Sequence, residues 1–133
     1  MIVADTNLLI YLYVQGQRTE ESEAVLQQDA VWAAPLLWRS EFRNVLIRLV
    51  RTDALQLEEA LAIIDEAERW LTGHEYSVVS RQVLELASRS GCSAYDCEFV
   101  ALAQDLEAPL VTTDRQILKA FPTIAVSPSA FTA

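Results

Sequence analysis

Short apolar runs alternate with longer stretches of helical periodicity along this chain, and that alternation limits the possible folds more than any other feature of the sequence. Ile2-Val3-Ala4 is a strand-sized run ended by Asp5-Thr6-Asn7, residue types that cap helices. Leu8, Leu9, Ile10 and Leu12 then continue as a buried first helix. A charged helix is expected over 20–28 and a second strand over 31–33. Pro35 suits the first turn of a helix over 35–51 that carries Trp38, Phe42, Val45, Leu46 and Leu49 at helical spacing. Leu57, Leu61, Ile64, Ala67 and Leu71 predict a helix over 57–71 stopped near Gly73, followed by a strand over 76–79 and a helix over 81–90 closed by Gly91. A helix over 93–107, a β-branched strand over 110–112 entered through Pro109, a short helix over 115–120 and a last strand over 123–126 complete the pattern. Elements in this order predict a three-layer α/β/α sandwich around a central parallel sheet, with right-handed crossovers, as a single domain over 1–133. Ligands of such sheets bind beyond the carboxyl ends of the strands, so Asp5 and Asp114, each just past a strand, should face that crevice.

A chain of 133 residues with 52% hydrophobic content can close one core without disulfides. Cys92 and Cys97 lie five apart in one helical region and suit buried reduced thiols, which fits a reducing compartment. No stretch combines a basic start with the length to span a bilayer, so no membrane association and a cytoplasmic location are expected. The net charge of -9, from 19 acids against 10 bases, works against attraction to nucleic acid. Divalent cations bound by several of the acids, or a basic partner, would reverse that field locally.

Four acids stand out, and each also has an ordinary explanation. Asp5 and Asp114 could be helix N-caps, and Glu41 a solvated acid in a first helical turn. Asp96 shares its helical face with Phe99, Val100 and Ala103, where a charge needs a partner; the plain alternative is a capping box with Ser93. Convergence of the four at one end of the sheet would be a different matter. Clustered carboxylates need cations, and an all-oxygen ligand set suits magnesium or manganese rather than zinc. Such a site serves phosphodiester hydrolysis, with Asp5, Glu41, Asp96 and Asp114 as metal-binding and catalytic residues. Thr6, Asn7 and Thr112 lie beside the strand-end acids, where they could orient a carboxylate or hold a water. Arg39 and Arg43 flank Glu41 as candidates for phosphate contacts or salt bridges, whereas Arg48 and Arg51 suit pairing with the helix dipole. Trp32, Trp38 and Trp70 suit core or interface positions. A magnesium-dependent phosphotransfer or phosphatase protein is disfavoured, because Asn7 stands where a phosphatase needs a second Asp and no lysine ends a late strand. Isolated Gly16, Gly73 and Gly91 give no phosphate loop. A non-catalytic interaction module is the other alternative.

Ile2-Val3-Ala4-Asp5-Thr6-Asn7, Glu41 in the third helix, Tyr95-Asp96 running into Phe99-Val100-Ala101-Leu102-Ala103, and Ala108-Pro109-Leu110-Val111-Thr112-Thr113-Asp114 together resemble PIN-domain ribonucleases. In size and layout the chain is similar to the VapC-type toxins of bacterial toxin-antitoxin pairs, over nearly its whole length. The resemblance implies a divalent-metal site on the four acids, Thr112 as a polar support, RNA as substrate, a homodimer, and a cognate antitoxin that inserts basic residues into the acidic pocket.

Overall fold

Ile2, Val3 and Ala4 have no exposed surface, as a parallel strand covered on both faces requires. A computed structural model describes all 133 residues. Five parallel strands, β1 (Ile2–Ala4), β2 (Trp32–Pro35), β3 (Glu75–Tyr76), β4 (Leu110–Val111) and β5 (Ala125–Val126), form a sheet in the order β3-β2-β1-β4-β5. Val3 pairs with Ala33 on one side and Leu110 on the other, which fixes β1 as the central strand. Eight helices flank the sheet: α1 (Thr6–Tyr13), α2 (Thr19–Gln28), α3 (Leu37–Arg51), α4 (Leu57–Trp70), α5 (Ser80–Ser90), α6 (Ala94–Leu106), α7 (Arg115–Ala120) and α8 (Pro128–Thr132).

The strand order reverses direction once. From β1 the chain moves outward to β2 and β3, then returns through α5 and α6 to place β4 on the other side of β1 before continuing to β5. The loops leaving β1 and β4 therefore diverge, and a crevice opens between their carboxyl ends. The α6 helix, which lies against β1, β2 and β4, carries the run from Phe99 to Ala103 fully into the core. On the α1, α3 and α4 side, a chain of rings links the elements: Trp32 meets Trp70 at 5.2 Å, Trp70 meets Tyr13 at 6.4 Å, Tyr13 meets Phe42 at 6.2 Å, and Phe42 meets Trp38 at 5.3 Å. The three tryptophans are thus core residues, with Trp32 and Trp38 buried and Trp70 packed partly exposed against them.

Several boundaries differ from the sequence expectation, among them the last strand, which begins at Ala125 instead of 123. Pro35 ends β2 instead of opening a helix, with α3 starting at Leu37. It pairs with Tyr76 in register, and its missing N–H is tolerated at a strand end. The third strand stops at Tyr76 instead of running to Val79, because β2, its one neighbour, ends opposite it. The C-terminal α8 lies beyond the expected elements, although Ser127 caps it by accepting from the Ala130 N–H and Pro128 stands in its first turn. Gln28 ties α8 down by donating to the Phe131 carbonyl at 2.8 Å. Cys92 and Cys97 are buried free thiols, as expected.

Candidate active site

Asp5 leaves β1 with its backbone N–H bonded to the Val111 carbonyl of β4 at 3.2 Å, so its side chain stands in the crevice between the two central strands. Its Oδ1 accepts from the Thr6 N–H at 2.8 Å and its Oδ2 from the Thr112 hydroxyl at 2.5 Å. Thr112, with no exposed surface, also accepts from the Asp114 N–H through its hydroxyl oxygen at 3.0 Å. One buried hydroxyl thus joins the acid after β1 to the loop carrying the acid after β4. Asp114 caps α7, its Oδ1 accepting from the Ile117 N–H at 2.9 Å, and its Oδ2 accepts nothing. The capping role and a place in the crevice are compatible, since one carboxylate oxygen is enough for the cap.

Glu41 arrives from α3. Buried Thr6 donates its hydroxyl to Glu41 Oε1 at 2.7 Å, leaving Oε2 uncommitted. Asp96 lies in the first turn of α6, where its N–H donates to Ser93 Oγ at 3.0 Å; the return bond of a capping box is absent. Burial raises the carboxyls of Asp5, Glu41 and Asp96 above their ordinary range, and the acids add to this through one another's fields. Asp96 and Asp114 act on Asp5, Asp5 and Asp96 on Glu41, and Asp114 on Asp96. The tertiary fold therefore brings all four sequence-selected acids into one electrostatic neighbourhood. A fifth acid, Glu98, lies outside the sequence-selected set; its charge reaches Glu41, and burial raises its own carboxyl. Its signal in the sequence is a lone charge within the otherwise apolar run from Cys97 to Ala103.

The other selected residues divide. Thr6 and Thr112 each hold an acid, whereas Asn7 is exposed, makes no side-chain hydrogen bond and faces a neighbouring cleft between α1 and α3. Arg39 is committed elsewhere, and Arg43 points away from the acids. The Arg39 guanidinium donates to Glu75 twice, at 2.6 and 2.7 Å, and stands 3.5 Å from Glu68; Arg43 is 3.8 Å from Glu68. Side chains two apart on a helix point about 200° apart, so Arg39 is directed to the β3 edge of the sheet while Glu41 faces the crevice. Glu75 also accepts from the Trp38 indole at 2.7 Å, which makes this ion pair part of the packing of α3.

No three His, Cys, Asp or Glu side chains stand in a closed cage for a metal ion. The donor set nonetheless fits a hard divalent cation. Every candidate ligand is a carboxylate oxygen, Glu41 Oε2 and Asp114 Oδ2 accept no hydrogen bond, and the group is electrostatically unfavourable when fully ionised without a cation. A pH dependence follows. Each raised acid holds its proton more tightly folded than unfolded, so stability falls as pH rises from the ordinary carboxylate range through the raised values. Glu75 and Asp29, both lowered by their partners Arg39 and the N-terminal amine, act oppositely, with stability lost as pH falls through their folded values. In chelator the melting temperature is expected to be lower at pH 7.5 than at pH 5, and added Mg2+ or Mn2+ should narrow that gap. Equal melting temperatures at both pH values, unmoved by either ion, would contradict this account of the acids.

The PIN domain profile matches residues 2–122. The chain is 30% identical over 126 residues to Ribonuclease VapC3 of Pyrobaculum aerophilum, an alignment covering 92% of this chain and 96% of the relative. Its fold is similar to the crystal structure of PAE2754 from Pyrobaculum aerophilum, with a TM-score of 0.75 and 19% identity over 98% of this chain and 85% of that one. It is also similar to a toxin-antitoxin complex from Klebsiella pneumoniae, with a TM-score of 0.66 and 20% identity over 96% and 98% of the two chains. With the profile spanning nearly the whole sheet and both strand-end acids, the chain belongs to the PIN-domain family.

Proposed function

We propose that this protein is a divalent-metal-dependent endoribonuclease that hydrolyses RNA phosphodiester bonds, acting as the toxin of a toxin-antitoxin pair. The observation that carries the reading is the hydrogen-bonded join of Asp5, Thr112 and Asp114 across the β1–β4 crevice, with Glu41 drawn to it through Thr6. The name of the similar Pyrobaculum protein, a ribonuclease, supports the substrate, and the toxin-antitoxin complex among similar structures supports the partner.

In this reading Asp5, Glu41, Asp96 and Asp114 hold Mg2+ or Mn2+. When bound, the cation supplies an acidified water and positive charge at the leaving oxygen. The chain's own residues prepare the site. Thr112 orients Asp5 and pins the Asp114 loop in one bond network, so the acids after β1 and β4 are positioned together. Thr6 orients Glu41 and leaves its second oxygen without a hydrogen bond. Burial and the neighbouring acids make these carboxyls hold protons more tightly than free carboxyls do, so a cation there would compete with protons for the same oxygens. The same acidic pocket suits basic residues of a cognate antitoxin, and a homodimer is the assembly we assign by resemblance to the family. No helix is long and apolar enough to cross a membrane.

The test is cleavage of a mixed RNA substrate by purified protein with Mg2+ or Mn2+, beside a chelator control and Asp96→Asn. Cleavage that stops in chelator and in the variant, with the variant folded by circular dichroism, is the expected result. Asp96 is partly exposed, so its loss should shift stability little. Full activity in Asp96→Asn would remove it from the site, and metal-independent cleavage would remove the metal from the reaction.

A further inference from the structure

Beside the acids, a cleft of about 540 Å³ runs between α1 and α3. Two helical stripes, which lead away from the acids, and the segment from Gln15 to Thr19 that carries Arg18 make its walls. Asn7, Ile10 and Tyr11 on α1 and Val14 just past its end lie on one face, which starts one residue after Thr6, the residue that holds Glu41. On α3, Val45 and Arg48 continue the stripe that Glu41 opens, at four and seven residues beyond it. At 1.5 Å per residue, Arg48 stands about 10 Å along the α3 axis from Glu41.

The charge of this cleft is unlike that of the protein. The whole chain carries -9, yet no acid lines the cleft and two arginines do, Arg18 and Arg48. Arg48 is exposed and takes part in none of the ion pairs. Arg18 has one loose ion pair, 3.8 Å to Glu21 with both side chains about half exposed, and its guanidinium lies over the Tyr11 ring at 5.7 Å from the centroid. The cleft therefore offers an amide with no intramolecular partner next to the acids, an aromatic face, and cations further along. An acidic site that must take up a polyanion needs cations at a distance where they do not pair with its own carboxylates. Arg39 does not meet that need, being held by Glu75, and Arg43 faces the α3–α4 side of its helix instead of this cleft.

We propose that this cleft binds the single-stranded RNA flanking the scissile phosphate, with Asn7 on the sugar–phosphate nearest the acids, Tyr11 against a base, and Arg18 and Arg48 on successive phosphates. The assignment rests on the ribonuclease reading above and adds the path of the strand to it. Arginine forks match phosphate oxygens, and an aromatic face accepts any base, so the cleft provides affinity with little sequence preference. Discrimination between RNA targets then lies elsewhere on the protein.

Two readouts test it on the full chain. A fluorescent single-stranded RNA of mixed sequence is titrated in the Asp5→Asn background, which leaves the RNA intact, and kcat and KM are measured with Asp5 restored. Arg18→Ala and Arg48→Ala are each expected to weaken binding about five- to tenfold and to reduce the slope of log affinity against log salt by about 0.7 for each phosphate no longer neutralised. Both should raise KM and leave kcat unchanged, because the arginine holds its phosphate equally in ground and transition states. Arg69→Ala, which removes an equal charge from exposed α4, should change none of these. RNA cleavage by the parent protein, with both arginine variants behaving as Arg69→Ala does, would overturn the cleft and leave the ribonuclease reading standing. Unchanged RNA affinity with weaker capture of the antitoxin would assign the cleft to that protein and also overturn the proposal. A chain that neither binds nor cuts any RNA would overturn both.

Discussion

Asp5→Asn is expected to lower RNA cleavage at least about a hundredfold, the upper end of what loss of a mere supporting partner costs, while making the metal-free protein more stable. The two effects have one origin. Asp5 is held where its charge is disfavoured by burial and by Asp96 and Asp114, and only the hydrogen bonds from Thr112 and Thr6 offset this. Asparagine keeps an acceptor for the Thr6 N–H and removes the charge. It also loses the bond donated by Thr112, so the net gain is of order 1 kcal/mol, within the usual range for relieving a site tuned for function. Thermal melting in chelator at pH 7.5 should therefore show the variant above the parent, and added Mg2+ should raise the parent's melting temperature more than the variant's. A variant that melts well below the parent would mean that Asp5 is a structural acid whose cap and hydrogen bonds outweigh its burial.

Phe42→Ala should produce the largest loss of stability, about 3–5 kcal/mol, as expected for emptying a fully enclosed aromatic site. Phe42 has no exposed surface and stands between Tyr13 and Trp38 in the ring chain that joins α1 to α3. For a chain of this size that corresponds to a fall of roughly 10–20 °C in melting temperature. Activity should fall with it even well below the melting point, because Glu41 is the adjacent residue and its bond to Thr6 depends on the seating of α3 against α1. Phe42→Leu, which refills most of the volume, should recover the greater part of both. A loss below about 1 kcal/mol for Phe42→Ala would show that the two helices are held together by other packing.

Much of this architecture was legible because it depends on local periodicity. The buried run Ile2-Val3-Ala4, the stripe Trp38, Phe42, Leu46 on α3 and the apolar run on α6 each follow from the spacing at which a strand or helix presents one face. The places where expectation and structure part are those where a neighbour decides. The third strand is as short as its partner β2 allows, and Pro35 joins the sheet because Tyr76 pairs with it.

The sequence by itself determined the alternation of elements, hence the parallel sheet, and it determined that Asp5 and Asp114 follow strands, since both properties are written within a few consecutive residues. Only the tertiary structure decided which of the polar residues beside those acids serve them. Thr112 reaches Asp5 across 107 residues and Thr6 reaches Glu41 across 35, while Asn7, adjacent to Thr6 in the chain, turns about 100° further around α1 into the cleft. The arginines divided on the same ground. Arg39 was drawn to Glu75 on the far edge of the sheet, and Arg48, half a turn around the same helix on the stripe that Glu41 opens, was left outside every ion pair. Helical periodicity fixes the direction of a side chain relative to its own axis, but the group that lies in that direction is set by how separate elements pack, and no local pattern records it.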